Sequence, residues 1–251
     1  MKRMFLMFAV IASSFLLSFI LPEEKKVRVF IAGDSTAQTN KPESGPTRGW
    51  GQYLSEFLTE DVKVSNQAIG GRSTSSFIRE GRWEKLMAEI SAGDWVLIQF
   101  GHNDTSTNPE RHTSPEDYKK NLMDFCADVK AKGATPVILT SIVFRTFNEE
   151  GKLICKRPHF EEYVQLARDA AAASDSYLVD MNIATQNFVE PLGDVQSKEY
   201  YCWVDAGTYP GLTEDKRDDT HLQEKGARAF AEIAAQGLKS VITDFQAYVK
   251  E

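Results

Sequence analysis

Cysteine is scarce in this 251-residue chain, with Cys126, Cys155 and Cys202 the only three. No C-x-x-C pair exists among them, so a structural zinc site has no support. An odd count also excludes a framework in which every thiol is bridged. Cys155 and Cys202 lie in loop-like stretches and can pair in an oxidising compartment, whereas Cys126, inside "NLMDFCADV", reads as a buried thiol. Clusters of positive charge are missing as well. The formal net charge is −7, from 29 Lys+Arg against 36 Asp+Glu, which disfavours nucleic acid and anionic membrane surfaces as partners. Repeats and low-complexity tracts are absent. Long apolar runs are absent too, with one exception from Met4 to Leu21. That run follows Lys2 and Arg3, ends at the polar "PEEKK", and reads as a secretory signal over residues 1–22. A retained N-terminal anchor is the alternative, because the run approaches spanning length without a clean A-x-A site. No cysteine follows it in lipoprotein fashion. Removing Lys2 and Arg3 with the leader leaves 27 against 36, a net of −9.

Residues 23–251 remain for one domain of ordinary composition, 42% hydrophobic and 26% charged over the whole chain. Short β-branched runs alternate there with helical patterns. The strand candidates are "KVRVFIA", "VKVSNQA", "WVLIQF", "TPVILTS" and "SYLVDM". Helical spacing marks "GWGQYLSEFL", "STSSFIREGRWEKLMAEI", "SPEDYKKNLMDFCADVKAKG", "PHFEEYVQLARDAAAAS" and "HLQEKGARAFAEIAAQGLKSVI". The third of these opens with Ser114 as N-cap and Pro115 at the first helical position, and closes at Gly133. The alternation predicts an α/β fold: a central, mostly parallel sheet of about five strands in a three-layer sandwich with helices on both faces. "FRTFNEEGKLIC" reads as a hairpin turning at Glu150-Gly151, and Pro191 to Arg217 is the least regular stretch.

In a parallel sheet the ligand crevice lies beyond the carboxyl ends of the strands. The chain places its chemistry-bearing residues there. Strand one delivers Gly33-Asp34-Ser35, strand two Gly70-Gly71-Arg72-Ser73, and strand three Gly101-His102-Asn103-Asp104. "RDDTHL" sets Asp218 three residues before His221 at the mouth of the last helix. Acyl transfer through a serine needs a base to take its proton, a carboxylate to orient that base, and donors for the oxyanion. Ser35, His221 and Asp218 supply the first three types. The Ser35 amide, a glycine N–H after strand two and an asparagine side chain after strand three supply the donors. Of the four histidines, His159 and His112 read as exposed, His102 as a neighbour of the site, and only His221 has a carboxylate at short fixed spacing. A nucleophile elbow G-x-S-x-G is absent, which disfavours an ordinary α/β-hydrolase.

These four blocks in this order resemble the SGNH (GDSL-like) hydrolase superfamily. "AGDSTA", "GWGQYL", "GGRSTSSFIREGRW", "QFGHND" and "DDTHL" resemble its rhamnogalacturonan acetylesterase branch. The resemblance covers nearly everything after the leader and is weakest from about Ser141 to Lys216. It implies Ser35 as nucleophile, His221 as base and Asp218 as its partner. It also implies Gly71 and Asn103 as oxyanion donors beside the Ser35 amide, with no metal or organic cofactor. The expected partner is an acetylated polysaccharide or oligosaccharide, most of all rhamnogalacturonan, and the expected location is outside the cytoplasm. Asp34, Thr36, Arg72, His102 and Trp203 are the expected substrate neighbours. Arg72, Arg79 and Arg82 can face galacturonate carboxylates, or simply form a solvated helix face. Acetylxylan, a broad-specificity esterase, lipase or thioesterase activity, and a non-catalytic carbohydrate-binding protein are the alternatives.

Overall fold

Five Val- and Ile-rich runs become the strands of one parallel sheet in a computed structural model that describes residues 26–251. The leader expected over residues 1–22 lies outside the described residues. β1 (Val27–Gly33), β2 (Val62–Asn66), β3 (Trp95–Gln99), β4 (Thr135–Leu139) and β5 (Tyr177–Val179) stand in the order β2-β1-β3-β4-β5. Register runs evenly, with Ile31 beside both Asn66 and Leu97. Because successive side chains of a strand point to opposite faces, the runs feed two cores. Val29, Ile31, Leu97 and Leu139 enter one; Phe30, Ala32, Val96 and Ile98 enter the other.

Each core is closed by helices. α1 (Thr74–Arg79), α2 (Arg82–Glu89), α3 (Pro115–Ala131) and α4 (Phe160–Ala173) cover one face through Phe77, Trp83, Phe125 and Tyr163. α5 (Met181–Val189), α6 (Gly193–Ser197) and α7 (Glu224–Val241) follow, and α5 and α7 cover the other face. α7 lies close because its buried stripe is small: Ala227, Ala231, Ala234 and Ala235 flank Phe230 and Leu238. The three-layer α/β sandwich expected from alternation is the observed architecture. Among the described residues no helix is long and apolar enough to cross a membrane.

Three local readings change. "STSSFIREGRWEKLMAEI" forms two helices, broken where Gly81 takes φ 67°, a left-handed turn that resets the chain direction. "GWGQYLSEFL" forms two 3₁₀ turns, Trp50–Gln52 and Leu54–Phe57, rather than an α-helix. The stretch that looked least regular holds α6 and β6 (Tyr201–Val204), which pairs antiparallel with β7 (Lys216–Leu222). The expected hairpin after β4 is present as a Phe147–Leu153 bridge around Gly151. Ser114 caps α3 by accepting the Asp117 amide, as its position predicts. All three cysteines are free, so Cys155 and Cys202 do not pair; Cys202 is buried and its thiol points to the Leu222 carbonyl.

Candidate active site

Ser35 sits at the apex of a turn that leaves β1. The Asp34 carboxylate accepts the Thr36 amide at 2.9 Å and the Thr36 hydroxyl at 2.8 Å, while Ala37 N donates to Asp34 O, so the turn is closed twice. The Trp50 amide donates to the Thr36 carbonyl and the Arg48 amide to Leu222 O. These two bonds dock the end of β7 against the serine turn and bring together residues far apart in sequence.

His221 Nε2 then stands 2.9 Å from Ser35 Oγ, and His221 Nδ1 stands 2.7 Å from Asp218 Oδ2. Asp218 and His221 are not on a helical turn. β7 pairs Leu222 with Tyr201 but Asp218 with Cys202, so residues 219–221 bulge out of the ladder. Asp218 Oδ1 accepts the amides of Thr220 and His221, which ties the bulge to the carboxylate. Burial would raise the Asp218 carboxyl, but the hydrogen bond and charge of His221 and these two amides hold it well below the usual carboxylate range. The neighbouring Asp219 turns the other way, accepting the Trp203 indole N–H at 2.7 Å and the buried Arg145 guanidinium at 2.8 Å.

The donors come from beyond the ends of three strands, β1, β2 and β3, and line one crevice. Gly70 N–H is taken by Gln38 Oε1 at 2.6 Å, whereas the amides of Gly71 and Ser35 have no protein acceptor among the described residues. Asn103 Nδ2 donates one hydrogen to Arg72 O at 3.2 Å and lines the same crevice. Behind it, buried Asp104 accepts the Thr74 amide and hydroxyl, fastening the loop after β3 to the start of α1. Burial pushes the Asp104 carboxyl up to about 6, against the pull of those Thr74 donors. The resulting crevice, about 400 Å³, is walled by Ser35, Gly71, Asn103, Arg111, Arg157 and His221, a mostly polar surface.

The expected substrate neighbours divide. His102 lines the crevice but is buried at 3% exposure, with its Nδ1 3.7 Å from Asp34 Oδ2 and its ring packed against Phe144 and Phe160. Asp34 and Thr36 are fully buried, where they shape the serine turn. Trp203 does not line the crevice: cationic groups of Arg145 and Lys198 lie about its ring, at 4.5 and 4.4 Å from the centroid. Arg72 is held by Glu80, as is Arg82, and Arg79 reaches Glu110. Sequence reasoning missed Arg111, Arg157 and Arg145. The first two lie in loops without regular spacing, and the third sits in an excursion whose path the sequence does not disclose.

The model of the GDSL-like lipase/acylhydrolase family matches residues 31–229. The chain is 35% identical to the rhamnogalacturonan acetylesterase RhgT of Bacillus subtilis, over 87% of this chain and 92% of that one. It is 29% identical to a rhamnogalacturonan acetylesterase of Emericella nidulans, over 89% and 88%. The crystal structure of the protein YXIM of Bacillus subtilis superposes with a TM-score of 0.72 at 28% identity, covering 86% of this chain and 56% of that one. The fold is also that of Axe2, an acetylxylan esterase of Geobacillus stearothermophilus, at a TM-score of 0.60 and 17% identity over 86% and 96%.

Proposed function

This chain belongs to the GDSL-like lipase/acylhydrolase family, and from that premise we propose that it is a serine esterase removing O-acetyl groups from the pectic polysaccharide rhamnogalacturonan. The observation that carries the chemistry is the unbroken contact line from Asp218 through His221 to Ser35, at 2.7 and 2.9 Å. Ser35 Oγ attacks the acetyl carbonyl as His221 Nε2 takes its proton. Asp218 fixes the Nδ1–H tautomer and stabilises the imidazolium. The amides of Ser35 and Gly71 and the Asn103 side chain receive the oxyanion. His221 returns the proton to the departing sugar hydroxyl, leaving an acetyl-enzyme. Water, deprotonated by the same imidazole, releases acetate and restores the serine.

The substrate reading draws on the relatives named as rhamnogalacturonan acetylesterases. A polar crevice of about 400 Å³ suits an acetyl group on a sugar, while a long acyl chain needs an extended apolar channel. The run from Met4 to Leu21 supports export of the enzyme, and the mature N-terminus, read by mass spectrometry, tests that. The function itself is tested by acetate release from acetylated rhamnogalacturonan, acetylated xylan and acetylated homogalacturonan side by side. The first is expected to be turned over fastest, and Ser35→Ala to lower kcat at least about 10³-fold. Faster release from xylan overturns the substrate; acetate release that persists in Ser35→Ala overturns the mechanism.

A further inference from the structure

An acidic chain carries two guanidinium groups in its catalytic crevice with no carboxylate to answer them. The net charge is −7, and the arginines after β2 are answered: Arg72 and Arg82 by Glu80, Arg79 by Glu110. Arg111 and Arg157 are different. Both line the crevice that holds Ser35 and His221, and neither forms an ion pair among the described residues. The Arg111 side chain makes no hydrogen bond there either. Its guanidinium lies over Gly71: a Cβ built on that glycine would stand 3.4 Å from Arg111 Cζ and Nη2. The unanswered charge is therefore beside the residue whose amide faces the acyl group.

Arg157 is held in place by groups that leave its charge uncancelled. Its Nη1 donates to the His102 carbonyl at 2.6 Å, and its guanidinium carbon lies 5.0 Å from the Phe144 ring centroid. One donor and one face are used, and the remaining N–H groups have no protein acceptor among the described residues. A planar guanidinium with free N–H pairs matches a carboxylate in a bidentate geometry, more closely than it matches a hydroxyl. No carboxylate side chain lines this crevice to compete for them.

We propose that Arg111 and Arg157 form a carboxylate-binding subsite that engages a uronic acid unit of the glycan next to the acetylated position. The proposal rests on the acetylesterase reading above and specifies how this site recognises its substrate. It also moves the recognition of galacturonate from Arg72, Arg79 and Arg82, which reach Glu80 and Glu110 outside the crevice, to two arginines on separate loops. Net charge and an anionic substrate are thereby reconciled: the attraction is local, between groups in contact, where screening by salt is weak.

The test compares acetate release from an acetylated galacturonate-containing oligosaccharide, the same oligosaccharide with its carboxyls methyl-esterified, and an acetylated xylo-oligosaccharide. Wild type is expected to favour the free acid over its methyl ester in kcat/KM. In Arg111→Gln that ratio falls about ten- to hundred-fold, mostly through KM, as loss of a charge-assisted contact predicts. Arg157→Gln lowers it in the same direction, and Arg82→Gln, which removes one positive charge outside the crevice, leaves it where it was. Unchanged melting temperatures exclude misfolding as the cause. If wild type prefers the free acid and Arg111→Gln keeps the ratio, the subsite is overturned while the acetylesterase reading stands. An equal loss on acid and methyl ester also overturns it, because Arg111 then serves the oxyanion and not a carboxylate. If wild type works faster on the xylo-oligosaccharide than on either pectic substrate, the reading beneath the proposal falls with it.

Discussion

Asp104 shows how one residue can serve the site without entering it. Its carboxyl is buried, and it fastens the Asn103 loop to the first turn of α1 through Thr74. Because burial lifts its pKa from 3.8 to about 6, the folded protein binds this proton more tightly than the unfolded chain does. The contribution to stability is therefore complete below about pH 4 and is lost as pH rises through about 6; at 1.36 kcal/mol per unit it amounts to about 3 kcal/mol. Asp104→Asn keeps an acceptor for Thr74 and cannot ionise. The stability of wild type relative to this variant should thus fall by up to about 3 kcal/mol between pH 4 and pH 7, measured from urea midpoints at each pH. A constant difference would show that the carboxyl does not hold a proton there. Asp218 works with the opposite sign, since its lowered pKa adds stability above the unfolded value that disappears on acidification. Using the variant as reference cancels that second effect.

Among the elements, the strands were the most legible in the sequence and the small sheet the least. "WVLIQF" and "TPVILTS" announce β3 and β4 because a strand buried on both faces is apolar at nearly every position. β7 does the reverse: "KRDDTHL" straddles the irregular stretch ending at Arg217 and the helical run opening at His221, and no strand shows in it, since its pairing with β6 is half exposed and interrupted by the bulge that carries His221. Ser35, Asp218 and His221, which the fold brings into contact, stand out in the sequence because serine acyl transfer restricts the residue types it can use. Arg111 and Arg157 were not, because a loop arginine has no periodic signature and its surroundings are set by tertiary contacts. α7 was readable as a helix, yet its glycines have reasons only the packing reveals. A Cβ on Gly226 would stand 1.9 Å from the Tyr200 carbonyl oxygen, a backbone atom just before β6, whereas one on Gly237 would meet only the Val179 side chain at 2.4 Å. Gly226→Ala should therefore cost about 1–3 kcal/mol of stability and reduce kcat, because it pushes the helix away from the sheet that carries His221. Gly237→Ala should leave kcat near wild type, as its neighbour lies in β5. Thermal melts and turnover of the two variants decide; equal loss of kcat in both would refute this division.

For the molecule as a whole, cohesion comes from two cores on either side of one sheet rather than from covalent links. Each core is closed by large buried side chains, Trp50 and Phe230 on one face and Phe77 and Phe125 on the other. The three thiols are free and two of them are buried. The melting temperature should accordingly be the same with and without a strong reductant, since no loop is closed by a disulfide. A drop of several degrees on reduction would reveal a bridge. The bulge in β7 has a further bearing on how the two sheets cooperate. The imidazole and its carboxylate ride on one short strand, so their 2.7 Å contact travels intact with the ribbon that carries it. Only the 2.9 Å gap to the hydroxyl crosses from that ribbon to the turn after β1. That seam is where a small slippage between the parts would disarm the enzyme, leaving each half otherwise in order.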